Sequence, residues 1–300
     1  MNDVYKNKVE LLLRLMPFVM EEQVFAVHGG SAINLFVKDM PRYSVDIDLT
    51  YIPLANREDS LNDINEHLKT IAEKAAKSIP GLHVIPKYTT CKLLCEYHGY
   101  QIKVEVNQTK RGIIGGEVLT RHLCDKAIHE FKLFCKAKIV PITLLYGGKI
   151  AAALSRQHPR DLFDVHYMDI PMFDVREGLL FCLLSSDRPI HESLSPQLID
   201  QREAMKHQFE GMTDKPFTYD DFESARLKLI KDVNGILTPA GKEFLLSFEL
   251  SEPKWEIFEY KYFQIYPSVK WKIQNLTKLK NVNPQKLLAQ YEALKIVLNV

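Results

Sequence analysis

The stretch Arg42-Tyr43-Ser44-Val45-Asp46-Ile47-Asp48-Leu49 decides the reading of this 300-residue chain. Its β-branched and aromatic residues, continuing to Ile52, predict a strand over residues 43–52. Side chains two apart on a strand share a face, so Val45, Ile47 and Leu49 turn to a core while Ser44, Asp46 and Asp48 share the other side. Adjacent carboxylates repel, and a strand carries that cost most readily where a divalent cation sits between them. The bland alternative is an exposed strand edge that happens to be acidic.

Upstream, residues 24–27 predict a short buried strand, His28-Gly29-Gly30 breaks it, and residues 31–38 resume as a helix. Paired glycines let the backbone approach a ligand, and a helix start favours phosphate, although Gly29-Gly30-Ser31 alone is more often a simple turn. Downstream, Ser60 with Asp63 reads as a capping box for a helix running to residue 78, whose Leu61, Ile64, Leu68, Ile71 and Ala75 share one face. Strands over residues 87–97 and 100–107 meet at His98-Gly99, a hairpin signal. In the second of them Ile102, Val104 and Val106 face one way and Lys103, Glu105 and Asn107 the other. Placed beside the first strand, Glu105 becomes a third carboxylate near Asp46 and Asp48. Three such groups can hold two metal ions roughly 3.5–4 Å apart, which activate an attacking oxygen and stabilise departing pyrophosphate. The Gly-Gly-Ser turn would then hold a triphosphate.

An opening helix is expected over residues 3–22, and after residue 141 the pattern turns helical, with starts at Thr218 (Asp221 three on) and Thr238-Pro239. The expected fold class is α/β in the α+β sense. A domain over residues 1–140 carries a small mixed sheet, and a mainly helical domain follows over residues 141–300. A helix from Leu144 sets Lys149, Ala152 and Arg156 along one side, and a lysine facing the metals could neutralise charge as pyrophosphate leaves. Arg160 and Asp164 are spaced i,i+4, so by themselves they read as a helix-surface salt bridge. His28 and His158 sit beside these residues and read as structural or supporting.

The net charge of +1 says little about nucleic acid, but residues 253–300 hold eight lysines against three glutamates. Trp255, Tyr262, Phe263, Tyr266 and Trp271 are interleaved with them, which suits either an RNA-facing surface or a solvated face over an aromatic core. Five cysteines, an odd number, fit reduced thiols better than a disulfide framework. Cys91, Cys95 and His98 lack a fourth ligand at zinc spacing. The longest apolar runs, such as 178–184, are too short to cross a bilayer, and residues 1–10 lack the apolar core of a secretion signal, so a cytoplasmic protein without a membrane partner is expected.

Gly29-Gly30-Ser31 followed by Arg42-x-Ser44-x-Asp46-x-Asp48 resembles the DNA polymerase β-type nucleotidyltransferases. Within them the chain is most similar to the AbiEii/AbiGii group, toxins of phage-defence toxin–antitoxin systems related to the MenT toxins. Leu144, Lys149 and Ala152 match that group's Leu-x4-Lys-x2-Ala motif, and Arg160 and Asp164 its Arg-x3-Asp motif. The segments Pro159 to Asp164 and Tyr266 to Lys272 are similar to it as well. The interval between Ser31 and Asp46 is longer than in the tightest form of the motif, and the family marks the Glu105 position least sharply.

The resemblance implies a polymerase β-like nucleotidyltransferase domain that moves a nucleoside monophosphate from an NTP to an acceptor, with magnesium, or manganese in its place, as cofactor. It implies catalytic roles for Asp46, Asp48, Glu105, Lys149 and Asp164, with metal at the first three. Nucleotide binding falls to Gly29, Gly30, Ser31, Arg42, Ser44 and Lys149, and Arg160 completes the last motif. The implied acceptor is RNA, with the tRNA 3′ end foremost, and a cognate antitoxin encoded nearby need not touch the toxin. A small-molecule nucleotidyltransferase of the antibiotic-modifying kind, or a nucleotide-binding module without catalysis, are the alternatives.

Overall fold

The computed structural model describes residues 2–300, which divide into two compact units. The first comprises residues 2–145 with the returning segment Lys206–Pro216, and the second Tyr146–Met205 with Phe217–Val300. A later piece of chain, Lys206–Pro216, thus returns to the first unit.

The first unit is built on a mixed seven-stranded sheet. Its strands are β1 (Phe25–His28), β2 (Ile47–Tyr51), β3 (His83–Lys87), β4 (Lys92–Tyr97), β5 (Tyr100–Val106), β6 (Leu119–His122) and β7 (Lys136–Ile139), in the order β3-β4-β5-β2-β1-β7-β6. The central strand β2 runs antiparallel to β1 and parallel to β5. The alternation that predicts a core face holds: Val45, Ile47, Leu49, Ile102, Val104 and Val106 are all buried. The helices Asp3–Glu21 and Arg57–Ser78 pack on the sheet and on each other. His67 and Lys74 of the second bind Glu22 at the end of the first. The hairpin turns at His98 (φ 49°) and Gly99 (φ 79°), the left-handed pair that a two-residue turn between twisted strands requires.

Four local expectations shift. The strand expected over residues 43–52 enters the ladder only at Ile47, because Tyr43 instead donates its amide to Met212 of the returning segment (2.8 Å). The helix expected from Ser60 begins at Arg57, capped by the Asn56 side chain, which accepts from the Asp59 amide (2.9 Å). Asn is among the best N-cap residues, and Ser60 instead turns inward to donate to the Asn56 carbonyl (2.7 Å). Residues 31–38 do not form one α-helix: the turn Gly29–Ser31 passes into a π-helical stretch, Ala32–Val37. Finally, β3, β6 and β7 are additional to the strands expected from the sequence.

The second unit is helical. The helix Arg176–Leu184 is buried along its length and crosses Ile142–Arg156 so closely at Gly147 that a Cβ there would lie 2.2 Å from the Gly178 backbone. The starts expected at Thr218 and Thr238 are observed, the first as a full capping box with Asp221 and the second with Pro239 in the first turn. Phe244, Phe248, Phe258 and Phe263 form part of the core of this unit.

Candidate active site

In the first unit β1 ends at His28 and the chain turns at Gly29, whose φ is +69°. A Cβ at Gly29 would stand 2.5 Å from Asp48 Oδ2, so both the backbone conformation and the neighbouring carboxylate demand glycine. At Gly30 a Cβ would lie 2.7 Å from Ser44 Oγ and 2.8 Å from Arg42 Nη2. The next residue, Ser31, is buried, and its hydroxyl is hydrogen-bonded to Ser44 Oγ (3.1 Å) and to the carbonyl oxygen of Asp46. Thus the residues of the expected nucleotide site, Gly29, Gly30, Ser31, Arg42 and Ser44, are gathered against the Asp46–Asp48 segment.

Arg42 is almost fully buried. Its Nη1 donates to the Tyr43 carbonyl (2.7 Å), and its backbone bridges to Thr213 of the returning segment. Thr213 in turn donates its hydroxyl to the Pro41 carbonyl (2.8 Å). Residues 41–43 are therefore held by a piece of chain up to 172 positions later, a support that no local pattern announces.

Strand register aligns His28 with Asp48, Asp48 with Glu105, and Glu105 with Lys92, a row of polar residues across β1, β2, β5 and β4. Asp46 precedes the ladder, and its Oδ1 accepts the backbone N–H of Lys103 (3.3 Å) just where the β2–β5 pairing begins. The Lys103 ammonium lies 3.9 Å from Asp46 Oδ2 and 3.5 Å from Glu105 Oε2, while Lys92 lies 2.9 Å from Glu105 Oε1. Among the described residues no three acidic, histidine or cysteine side chains converge as a ready-made metal nest. Register thus brings Glu105 beside Asp48, while its carboxylate is engaged by two lysines. The donor chemistry still fits a divalent cation. Asp46 and Asp48 offer hard oxygen ligands from one partly exposed edge, and Gly29 leaves room over the Asp48 carboxylate.

The second unit holds the later motifs. Lys149 is almost fully buried, with its ammonium 2.9 Å from Asp161 Oδ1 and 3.0 Å from Asp164 Oδ2. Arg156 forks onto the same Asp161 carboxylate at 2.5 and 3.0 Å. Burial alone would raise the Asp161 pKa, but Lys149 and Arg156 outweigh it and hold the carboxyl well below its ordinary value. Asp161 is absent from the set of candidates read from the sequence. The signal was there, since Asp161 and Asp164 are spaced i,i+3 on the helix Pro159–His166 and so share a face. His158 caps that helix, its Nδ1 accepting the Arg160 amide (3.2 Å), and Arg160 itself is half-buried.

A family model for the nucleotidyl transferase AbiEii toxin of type IV toxin–antitoxin systems matches residues 10–275. The chain belongs to the AbiEii family. This AbiEii protein is accordingly a nucleotidyltransferase toxin, and the family implies an NTP substrate and a cognate antitoxin. No curated protein matches the chain. Among solved structures it is similar to MenT4, a nucleotidyltransferase toxin from Mycobacterium tuberculosis, with a TM-score of 0.56 at 13% identity over 89% of this chain and 91% of that one. At that identity the likeness establishes the fold, a mixed α/β sheet unit followed by helices.

The remaining candidates of this AbiEii chain sort by burial. Cys91 and Cys95 are buried, and burial pushes the Cys95 thiol up to about 12. Of the C-terminal aromatics, Phe263 and Tyr266 are core residues and Trp255 packs on Phe244, while Tyr262 and Trp271 are exposed. No helix among the described residues is long and apolar enough to cross a membrane.

Proposed function

We propose that this AbiEii protein transfers a nucleoside monophosphate from an NTP to an RNA acceptor, with the tRNA 3′ end as the favoured site, and depends on magnesium or manganese. The observation that carries the reading is the Asp46–Asp48 edge closed over the Gly29-Gly30-Ser31 turn. A divalent cation held by Asp46 and Asp48, with Glu105 as the third carboxylate, would supply the Lewis-acid neutralisation that phosphoryl transfer needs. Backbone amides of the glycine turn are suited to phosphate oxygens because no Cβ obstructs them. Ser31 and Ser44 are hydrogen-bonded to each other beside that turn, and Arg42 lies close to Gly30. In the second unit Lys149, the lysine of the Leu-x4-Lys-x2-Ala motif, is held buried between two carboxylates. Asp161 and Asp164 are positioning residues that fix its ammonium, and Arg160, beside them in the Arg-x3-Asp motif, belongs to the same segment.

The preference for RNA is supported by the helix Pro267–Val282. Lys270, Trp271, Gln274 and Lys278 lie along one exposed side at helical spacing, and among the described residues neither Lys270 nor Lys278 is in an ion pair. An exposed indole between free ammonium groups offers stacking and phosphate contacts together, the pairing used for single-stranded nucleic acid. Incubation with total tRNA, magnesium and each labelled NTP, beside an Asp46→Ala/Asp48→Ala double variant, tests the proposal. Label on tRNA with the parent protein alone supports it and names the donor. Label on no RNA with any NTP removes the RNA acceptor and turns the search to small molecules.

A further inference from the structure

The charges on the open face of the first unit form a chain: Asp46, Lys103, Glu105, Lys92, each close to the next. Lys92 is the nearer partner of Glu105, at 2.9 Å, and Lys103 is shared between Glu105 and Asp46. Lys103 touches Asp46 twice over, through its backbone amide at Oδ1 and its ammonium near Oδ2. Its side chain is 42% exposed, so it is free to swing away at little cost in packing. A simple surface pair would involve one carboxylate; here the ammonium sits between two of the three carboxylates that the proposed cation would use.

We propose that Lys103 is a built-in counter-cation of the carboxylate site. It neutralises Asp46 and Glu105 when neither metal nor nucleotide is present and has to be displaced when a divalent ion arrives. A divalent ion alone competes with this ammonium and binds weakly. A triphosphate offers the released ammonium a new anion, so metal and nucleotide bind better together than apart. The inference rests on the reading of Asp46 and Asp48 as cation ligands.

The test is Mn2+ binding to the full chain, followed by the electron paramagnetic resonance of free Mn2+, without nucleotide. Lys103→Met should bind Mn2+ about fivefold more tightly than the parent, the worth in water of the one ammonium–carboxylate attraction across about 4 Å that the ion no longer has to displace. Lys103→Arg, which keeps the charge, should bind as the parent does. With a non-hydrolysable NTP analogue added, the parent should gain Mn2+ affinity and Lys103→Met should gain less. An Asp46→Asn/Asp48→Asn variant separates the two layers of the argument. If it abolishes binding while Lys103→Met leaves affinity unchanged, the counter-cation inference is overturned and the carboxylate site stands. If it binds Mn2+ as the parent does, the carboxylate site falls and the inference with it. Lys103→Gln supplies the same charge removal should the methionine variant fold poorly.

Discussion

Asp161→Asn is a sharp probe of the Lys149 cluster, since it removes one charge and almost no volume. Asp161 is 2% exposed and receives both the buried Lys149 ammonium and the Arg156 fork. The two cations respond differently. The Arg156 side chain is 62% exposed and recovers its hydration, so its loss costs little. Lys149 has no such escape, although Asp164 remains 3.0 Å away and keeps the buried charge partly compensated. Removing one member of a buried ion pair costs about 3–5 kcal/mol when the other is stranded, so this change belongs near about 3 kcal/mol. For a unit of this size that lowers its melting temperature by roughly 6–12 °C, read by circular dichroism on heating. The pH dependence adds a second check. The Asp161 pKa is depressed in the folded state, so its contribution is complete above the ordinary carboxyl value of about 3.9 and is lost as pH falls through the lower folded value. The gap between parent and variant should hold from neutrality to about pH 4 and narrow below it. A variant that melts with the parent at pH 7 would show that the cluster contributes nothing net, and would refute the argument.

Two further outcomes are expected. Gly29→Ala places a methyl 2.5 Å from Asp48 Oδ2 at a φ of +69°, so nucleotidyl transfer should fall at least tenfold, on the order of what small misplacements cost at reacting centres. Gly99→Ala, equally strained at φ +79° but in open space, should cost stability and leave the rate alone; equal rate losses in both would rule out the Asp48 contact as the cause. Glu249 is fully buried, and burial raises its carboxyl pKa against the pull of Lys272 and the Ile190 amide. Stability therefore falls as pH rises through the unfolded and then the folded pKa, and Glu249→Gln should melt above the parent at pH 8 and lose that advantage near pH 4. A lower melting temperature at pH 8 would count against it.

Much of the site was legible because its signals are local. Alternation in residues 45–49 and 102–106 separates the buried side from the acidic one, since a strand has a period of two whatever it pairs with. Capping at Thr218 and the turn at His98-Gly99 were readable for the same reason, as each is satisfied within a few residues. Where local signals competed, the sequence misled: Ser60 and Asn56 can both cap a helix, and the choice fell to Asn56 once Ser60 was drawn inward.

The sequence by itself determined where the candidate residues lie along the chain: two aspartates on one strand edge, a glycine turn before them, and Lys149 followed by Arg160 and Asp164. Only the tertiary structure decided how these groups are paired and held. It set Glu105 against Lys92 and Lys103 through register, and buried Lys149 between Asp161 and Asp164. It also brought Thr213 back to hold the segment that carries Arg42. These are long-range pairings, fixed by burial and ladder register between segments far apart in the chain, and short-range periodicity carries no record of them.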